Sequence, residues 1–219
     1  MTQDPAQTIY IDGVWRSAAG GGTFAVTDPA TGGVIGQAAD GGRVDTEVAI
    51  AAAAGALPAW SGTTAYQRAA VLAKAETLMR ERQKDLAALM TREQGKPLKA
   101  SMNEVAYAAD FLAWFAEEAK RIGGVTIPSA RADQRFLTMR QPVGVVAAIT
   151  PWNYPISMLT RKLAPAIAAG CTTVLKPADQ TPLCAVATVQ LLADAGVPAG
   201  VVNLVTTCLL YTSPSPRDS

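Results

Sequence analysis

Between Gly144 and Thr206 the chain carries only five charged residues: Arg161, Lys162, Lys176, Asp179 and Asp194. Two kinds of segment alternate within that stretch. The short ones, "VGVVAAI" (143–149), "CTTVLK" (171–176) and "GVVNLV" (200–205), are apolar and rich in β-branched residues. Such runs suit parallel strands covered on both faces, and the first suits a central strand. The longer ones, 156–169 and 182–195, end at Gly170 and Gly196, where a left-handed helix cap belongs. The second opens on Thr181 and Pro182, an N-cap followed by proline at the first helical position. It should bury Leu183, Val186, Ala187 and Leu191. Strand–helix–strand–helix–strand with buried strands implies right-handed crossovers. The fold class is therefore α/β, a doubly wound, Rossmann-like parallel sheet.

Upstream, the pattern differs. Residues 8–38 form short strands, with Asp12-Gly13 as a hairpin turn and a second turn built on Asp28-Pro29 and Gly32-Gly33. From Val44 to Ile122 the spacing is helical. Val44, Val48 and Ala51 mark one helix face; Ala69, Leu72, Ala73 and Leu78 a second. A third helix ends at Gly95, ahead of Pro97. A fourth, about 99–122, has Val105, Ala108, Ala109 and Leu112 as its stripe. "RFLTMRQP" then alternates and is partly polar, as an exposed or inter-subunit strand would be. Four sections follow: N-terminal strands and helices over 1–133, an oligomerisation strand over 134–142, the start of the parallel sheet over 143–205, and a tail over 206–219.

Composition removes several functions. There is no histidine among the 219 residues, so histidine-based triads and most catalytic zinc sites are excluded, and no metal site is expected. A net charge of +1 gives no electrostatic footprint for nucleic acid. Charged residues, Pro165 and Gly170 interrupt the most apolar region, so no membrane span is expected. The N-terminus, "MTQDPAQT", lacks signal-peptide features. Cys171, Cys184 and Cys208 lie far apart without a CxxC pair, which fits a reducing, cytoplasmic setting.

Ligands of open α/β sheets bind beyond the carboxyl ends of the strands, so two loops carry the chemistry. In "ITPWNYP" (149–155), Pro151 and Pro155 constrain the backbone on either side of Trp152 and Asn153. The following helix offers a positive N-terminal end. An amide held there can donate to a developing oxyanion, and an indole can offer one N–H and a flat face to a cofactor. The same residues also suit a plain prolyl turn with Asn153 bonded to its own backbone. In "KPADQT" (176–181), Lys176 can bind ribose hydroxyls or phosphate and Asp179 can accept from ribose hydroxyls. A solvated surface pair is the competing account. No GxGxxG and no P-loop occurs.

Longer motifs narrow the choice. "QPVGVVAAITPWNYPISMLTRKLAPAIAAGCTTVLKPADQTP", "LMTREQGKPLKASMNEVAYAADFLAWFAEEAKRIGGVTIPS" and "AGVPAGVVNLV" resemble the aldehyde dehydrogenase superfamily, in particular its succinate-semialdehyde dehydrogenase branch. The resemblance covers about residues 8–205. It implies oxidation of an aldehyde to its acid, with NAD as cofactor and NADP as the alternative, in a homo-oligomeric parent. Asn153 would hold the aldehyde oxygen. Ile149, Thr150, Pro151, Trp152, Lys176, Ala178 and Asp179 would line the cofactor site. Arg161 would grip the distal carboxylate of a semialdehyde, for which a bidentate fork is suited. Asp179 would disfavour a 2′-phosphate by charge repulsion, which points to NAD. "EQGKP" is a family signature but reads as a structural cap.

The resemblance stops after Val205. The tail, "TTCLLYTSPSPRDS", shows none of the family's following features, including the nucleophilic Cys and the catalytic Glu. On that basis the chain is expected to be an N-terminal fragment, inactive alone, with an incomplete sheet. Its last strand, Gly200–Val205, should be an unpaired apolar edge that lowers solubility. Another aldehyde dehydrogenase chemistry, or a non-catalytic nucleotide-binding or assembly role, are the alternatives.

Overall fold

A computed structural model describes residues 7–208. The first hairpin is β1 (Ile9–Ile11) and β2 (Val14–Arg16), and the second is β3 (Thr23–Thr27) and β4 (Val34–Ala39). Asp12 and Gly13 both adopt positive φ, at 51° and 81°, as a two-residue hairpin turn of this hand requires. Four helices follow: α1 (Arg43–Ser61), α2 (Ala65–Glu81), α3 (Gln83–Gln94) and α4 (Leu98–Ala119). A small exposed hairpin, β5 (Thr126–Ile127) with β6 (Phe136–Leu137), leads into β7 (Val145–Ile149), α5 (Ser157–Ala169), β8 (Thr172–Lys176), α6 (Pro182–Ala195) and β9 (Val202–Leu204).

β7, β8 and β9 are parallel, as the strand–helix alternation requires. Both crossover helices advance the sheet in one direction, so α5 and α6 share one face and α1 covers the other, against β8 and β9. β8 is buried on both sides. Val174 packs with Ala49 and Ala53 of α1, while Leu175 joins the core formed with α2, α4, α5 and α6. Gly95, Gly170 and Gly196 each close their helix at positive φ, at 79°, 84° and 99°.

The sheet order is β2-β1-β9-β8-β7, which corrects two expectations. β9 is not an edge: β8 lies on one side and the N-terminal hairpin pairs on the other, Tyr10 opposite Leu204. The buried Asn203 seals this join. Its amide oxygen accepts from Asp12 N–H at 3.0 Å, and its amide nitrogen donates to the Thr173 and Gly200 carbonyls. Among the described residues the free edge on the parallel side is β7, the strand expected at the centre; Ala147 and Ile149 are exposed and Ala148 alone is fully buried. An all-apolar run does not report which strands will flank it.

Other differences are smaller. Val44, Val48 and Ala51 face solvent, and α1 buries Asp45, Ala49, Ala53 and Trp60 instead. On α2 the buried apolar set is Ala69, Leu72, Ala75 and Met79, with Ala73 outside. On α6 Leu183, Val186 and Ala187 are half-buried, while Cys184, Ala185 and Val189 are buried. In helices this rich in alanine, one face is hardly more apolar than the next, so spacing is a weak guide. Within 134–142 only Phe136 and Leu137 pair as strand. Just after Val205, Thr206 is buried, its Oγ1 donates to the Ala39 carbonyl and its own carbonyl accepts from Gly41 N–H, each at 2.8 Å. Residues 209–219 of the expected tail, and 1–6 of the N-terminus, lie outside the described residues. No described helix is long and apolar enough to cross a membrane.

Candidate active site

Ile149 and Lys176 are in register as the last residues of β7 and β8, and Thr150 N–H donates to the Lys176 carbonyl at 3.1 Å just beyond. The two loops singled out in the sequence therefore leave the sheet side by side. Thr150 and Ala178 are buried in this frame, and Pro151, Trp152 and Asn153 are exposed. Asp179 and Trp152 line a common cleft of about 560 Å3 with Thr181, Glu93, Cys208 and strand β3. Ile149, Thr150, Pro151, Lys176 and Ala178 are not part of that lining. Lys176 is half-buried and donates to the Pro177 carbonyl at 3.1 Å. Burial pushes its pKa down, while Asp179 and Cys208 pull it up.

The helix that follows Asn153 does not present a free positive end. The first residues of α5 have no side-chain cap of their own. Glu104 of α4 supplies one: its carboxylate accepts from the backbone N–H groups of Ile156 and Ser157 at 3.1 and 3.2 Å. The Glu104 side chain is only 1% exposed, and its other oxygen pairs with the Lys96 ammonium. Lys96 in turn donates to the Asn153 carbonyl oxygen at 3.0 Å and stands 4.2 Å from the centre of the Tyr154 ring.

The same device holds the second loop. Thr181 does not cap α6 with its side chain. Glu93 of α3 does so, accepting from Leu183 N–H at 2.6 Å and Cys184 N–H at 2.9 Å. Burial pushes the Glu93 carboxyl up to about 7, against the pull of these hydrogen bonds. Cys184 sits against it, fully enclosed; burial, with Glu93 beside it, drives that thiol well above its ordinary range. A helix first turn favours thiolate only where the positive end is unspent, and here a carboxylate already occupies it.

Sequence reasoning missed Glu93, Lys96 and Glu104. A signal existed. Glu104 lies four and eight residues before the core residues Ala108 and Leu112, and Glu93 lies three and seven after Met90 and Leu86. A carboxylate on a core stripe must find donors inside the protein.

Arg161 lies on α5, two turns from Asn153. It is exposed, forms no ion pair among the described residues, and its guanidinium carbon is 5.9 Å from the Phe111 ring centre. Phe111 meets Tyr107 edge-on at 4.7 Å, and Tyr107 shares a cavity of about 280 Å3 with Tyr154, Lys96 and Glu104. An aromatic track thus runs along α4 from the loop of Asn153 towards Arg161. No group of three His, Cys, Asp or Glu side chains suited to a metal ion occurs among the described residues.

The arrangement matches known proteins over nearly its whole length. Residues 15–208 match the model of the aldehyde dehydrogenase family. The chain is 56% identical over 200 residues to glutarate-semialdehyde dehydrogenase of Pseudomonas putida, covering 91% of this chain and 42% of that protein. It is 54% identical over 200 residues to the NADP(+) succinate-semialdehyde dehydrogenase of Escherichia coli K12, with the same coverage. Among solved structures, an NADP-dependent enzyme of Escherichia coli superposes with a TM-score of 0.91 at 53% identity, covering 92% of this chain and 42% of that one. The enzyme PnpE, solved with nicotinamide adenine dinucleotide, superposes with a TM-score of 0.90 at 37% identity, covering 93% and 42%. The chain spans about two-fifths of the length of the curated relatives it matches. With the family match, the sequence motifs and the fold in agreement, the chain belongs to the aldehyde dehydrogenase family.

Proposed function

We propose that the whole protein containing these residues oxidises an aldehyde bearing a distal carboxylate, succinate semialdehyde first, to the corresponding acid with NAD as hydride acceptor. The observation that carries this reading is the Arg161 guanidinium, unpaired among the described residues, at the end of the aromatic track from Asn153. A guanidinium with no internal partner can take a carboxylate in two parallel hydrogen bonds, and the aromatic walls suit the methylenes between the two ends of a semialdehyde. The two similar semialdehyde dehydrogenases support the same substrate class.

In this reading the Asn153 amide donates to the aldehyde oxygen as negative charge builds on it, and needs no proton transfer to do so. Trp152 and Asp179, on one cleft, hold the nucleotide, with Lys176 and the backbone of Ile149, Thr150, Pro151 and Ala178 shaping its approach. When bound, the nicotinamide supplies the electron sink. Asp179 opposes a 2′-phosphate, which favours NAD. Cys171 and Cys184 are buried, and Cys208 lines the cleft of Trp152 and Asp179. Exposed Phe136, Leu137 and Met139 support a homo-oligomer, and unpaired thiols a cytoplasmic setting.

The test is Asn153→Ala in the whole protein. Loss of one oxyanion donor should lower kcat by about 10²–10³ with little change in KM. Activity within threefold of wild type would remove Asn153 from the chemistry.

A further inference from the structure

The side chain of Asn153 forms no hydrogen bond among the described residues, so nothing bonded to the amide itself aims it. Its backbone is held instead. Lys96 donates to its carbonyl at 3.0 Å, and the Tyr154 ring beside it lies 4.2 Å from the same ammonium. The next donors along the chain, Ile156 N–H, Ser157 N–H and Ser157 Oγ, all point to one oxygen of Glu104, at 3.1, 3.2 and 3.4 Å. Glu104's other oxygen closes the set by pairing with Lys96. Lys96 comes from the α3–α4 connection and Glu104 from α4, which packs on α5.

We infer that Lys96 and Glu104 are positioning residues for the oxyanion amide, holding the backbone from Asn153 to Ser157 so that the Asn153 side chain points at the aldehyde oxygen. The inference rests on the role proposed above for Asn153. Two features separate this cluster from ordinary packing. Glu104 gathers the N–H groups that open α5 onto one carboxylate oxygen, which fixes where the chain leaves the Asn153 loop. Lys96 bonds a backbone atom of the residue that acts, and catalytic geometry is sensitive to displacements well under the size of an atom. Lys96 is 14% exposed, so its removal leaves a site that water can reach.

A double-mutant cycle on the whole protein tests this, with Lys96→Met, Asn153→Ala and the pair. Lys96→Met alone is expected to lower kcat about ten-fold, with KM for the aldehyde and affinity for NAD within twofold. In the Asn153→Ala background the same change should lower kcat less than twofold, because the group it positions is gone. Lys96→Arg, which keeps a donor and the charge, should recover most of the loss. An equal fall in both backgrounds, or no fall in either, overturns the inference. If Asn153→Ala itself retains near wild-type kcat, the oxyanion role fails instead, and the cycle reports that separately. Should Lys96→Met not fold, Glu104→Gln is read in the same cycle: loss of kcat confined to the Asn153-containing background supports positioning, and additivity overturns it.

Discussion

Glu93, near the end of α3, accepts a 2.6 Å hydrogen bond from the backbone N–H of Leu183, 90 residues further along the chain. With Cys184 N–H at 2.9 Å, this carboxylate takes the place of the cap that Thr181 does not provide. The N-terminal helices thereby fix the loop that carries Asp179.

Glu93 gives a pH dependence whose sign follows from its environment. Its carboxyl stands at about 7 in the fold against 4.5 as reference, so between those values the folded state binds a proton that the unfolded state has released. Its contribution to stability is fully present below about 4.5 and is lost as pH rises through about 7. Relative to Glu93→Gln, the wild-type urea midpoint should fall between pH 4.5 and 8. Parallel pH profiles for the two proteins would contradict the assignment. Glu93→Ala strands two buried N–H groups and should cost about 2–4 kcal/mol at any pH in that range.

Glu104 is a buried charge with a specific partner, and its variants should separate by charge and by shape. Glu104→Ala leaves Lys96 uncompensated and α5 uncapped, and about 3–5 kcal/mol should be lost. Glu104→Gln keeps an acceptor for Ile156 and Ser157 and should cost about half as much. Denaturation midpoints measured side by side decide this; equal losses would mean that the ion pair, not the cap, dominates.

Arg161 should act on substrate choice rather than on the chemical step. Arg161→Met is expected to reduce kcat/KM for succinate semialdehyde by about 10²-fold or more, most of it in KM, because the distal carboxylate loses its bidentate partner. For an uncharged aldehyde of similar length, kcat/KM should change less than threefold. An equal loss on both substrates would assign Arg161 to the fold instead.

Asp179 should set the nucleotide preference. Asp179→Ser removes the carboxylate proposed to oppose a 2′-phosphate, and the ratio of kcat/KM for NADP over NAD should rise about ten-fold. The NADP(+) in the name of one relative makes this the sharper comparison. An unchanged ratio would place the discrimination in another residue of the cleft.

The sequence by itself determined the elements that depend on near neighbours. The turn at Asp12-Gly13, the helix ends at Gly95, Gly170 and Gly196, the three parallel strands, and the two loops where Asn153 and Asp179 sit are written in patterns a few residues long. Each follows from a local constraint, such as positive φ or the alternation of strand and helix. The tertiary structure alone decided which strand is the edge and which side chains cap the site helices. β9 is covered because Tyr10 meets Leu204 and Asp12 meets Asn203, 191 residues apart. The positive end of α5 is already matched because Glu104 reaches it from 52 residues upstream. Strand order and the partner of a buried charge depend on which surfaces meet once the core closes, and no local period encodes that meeting.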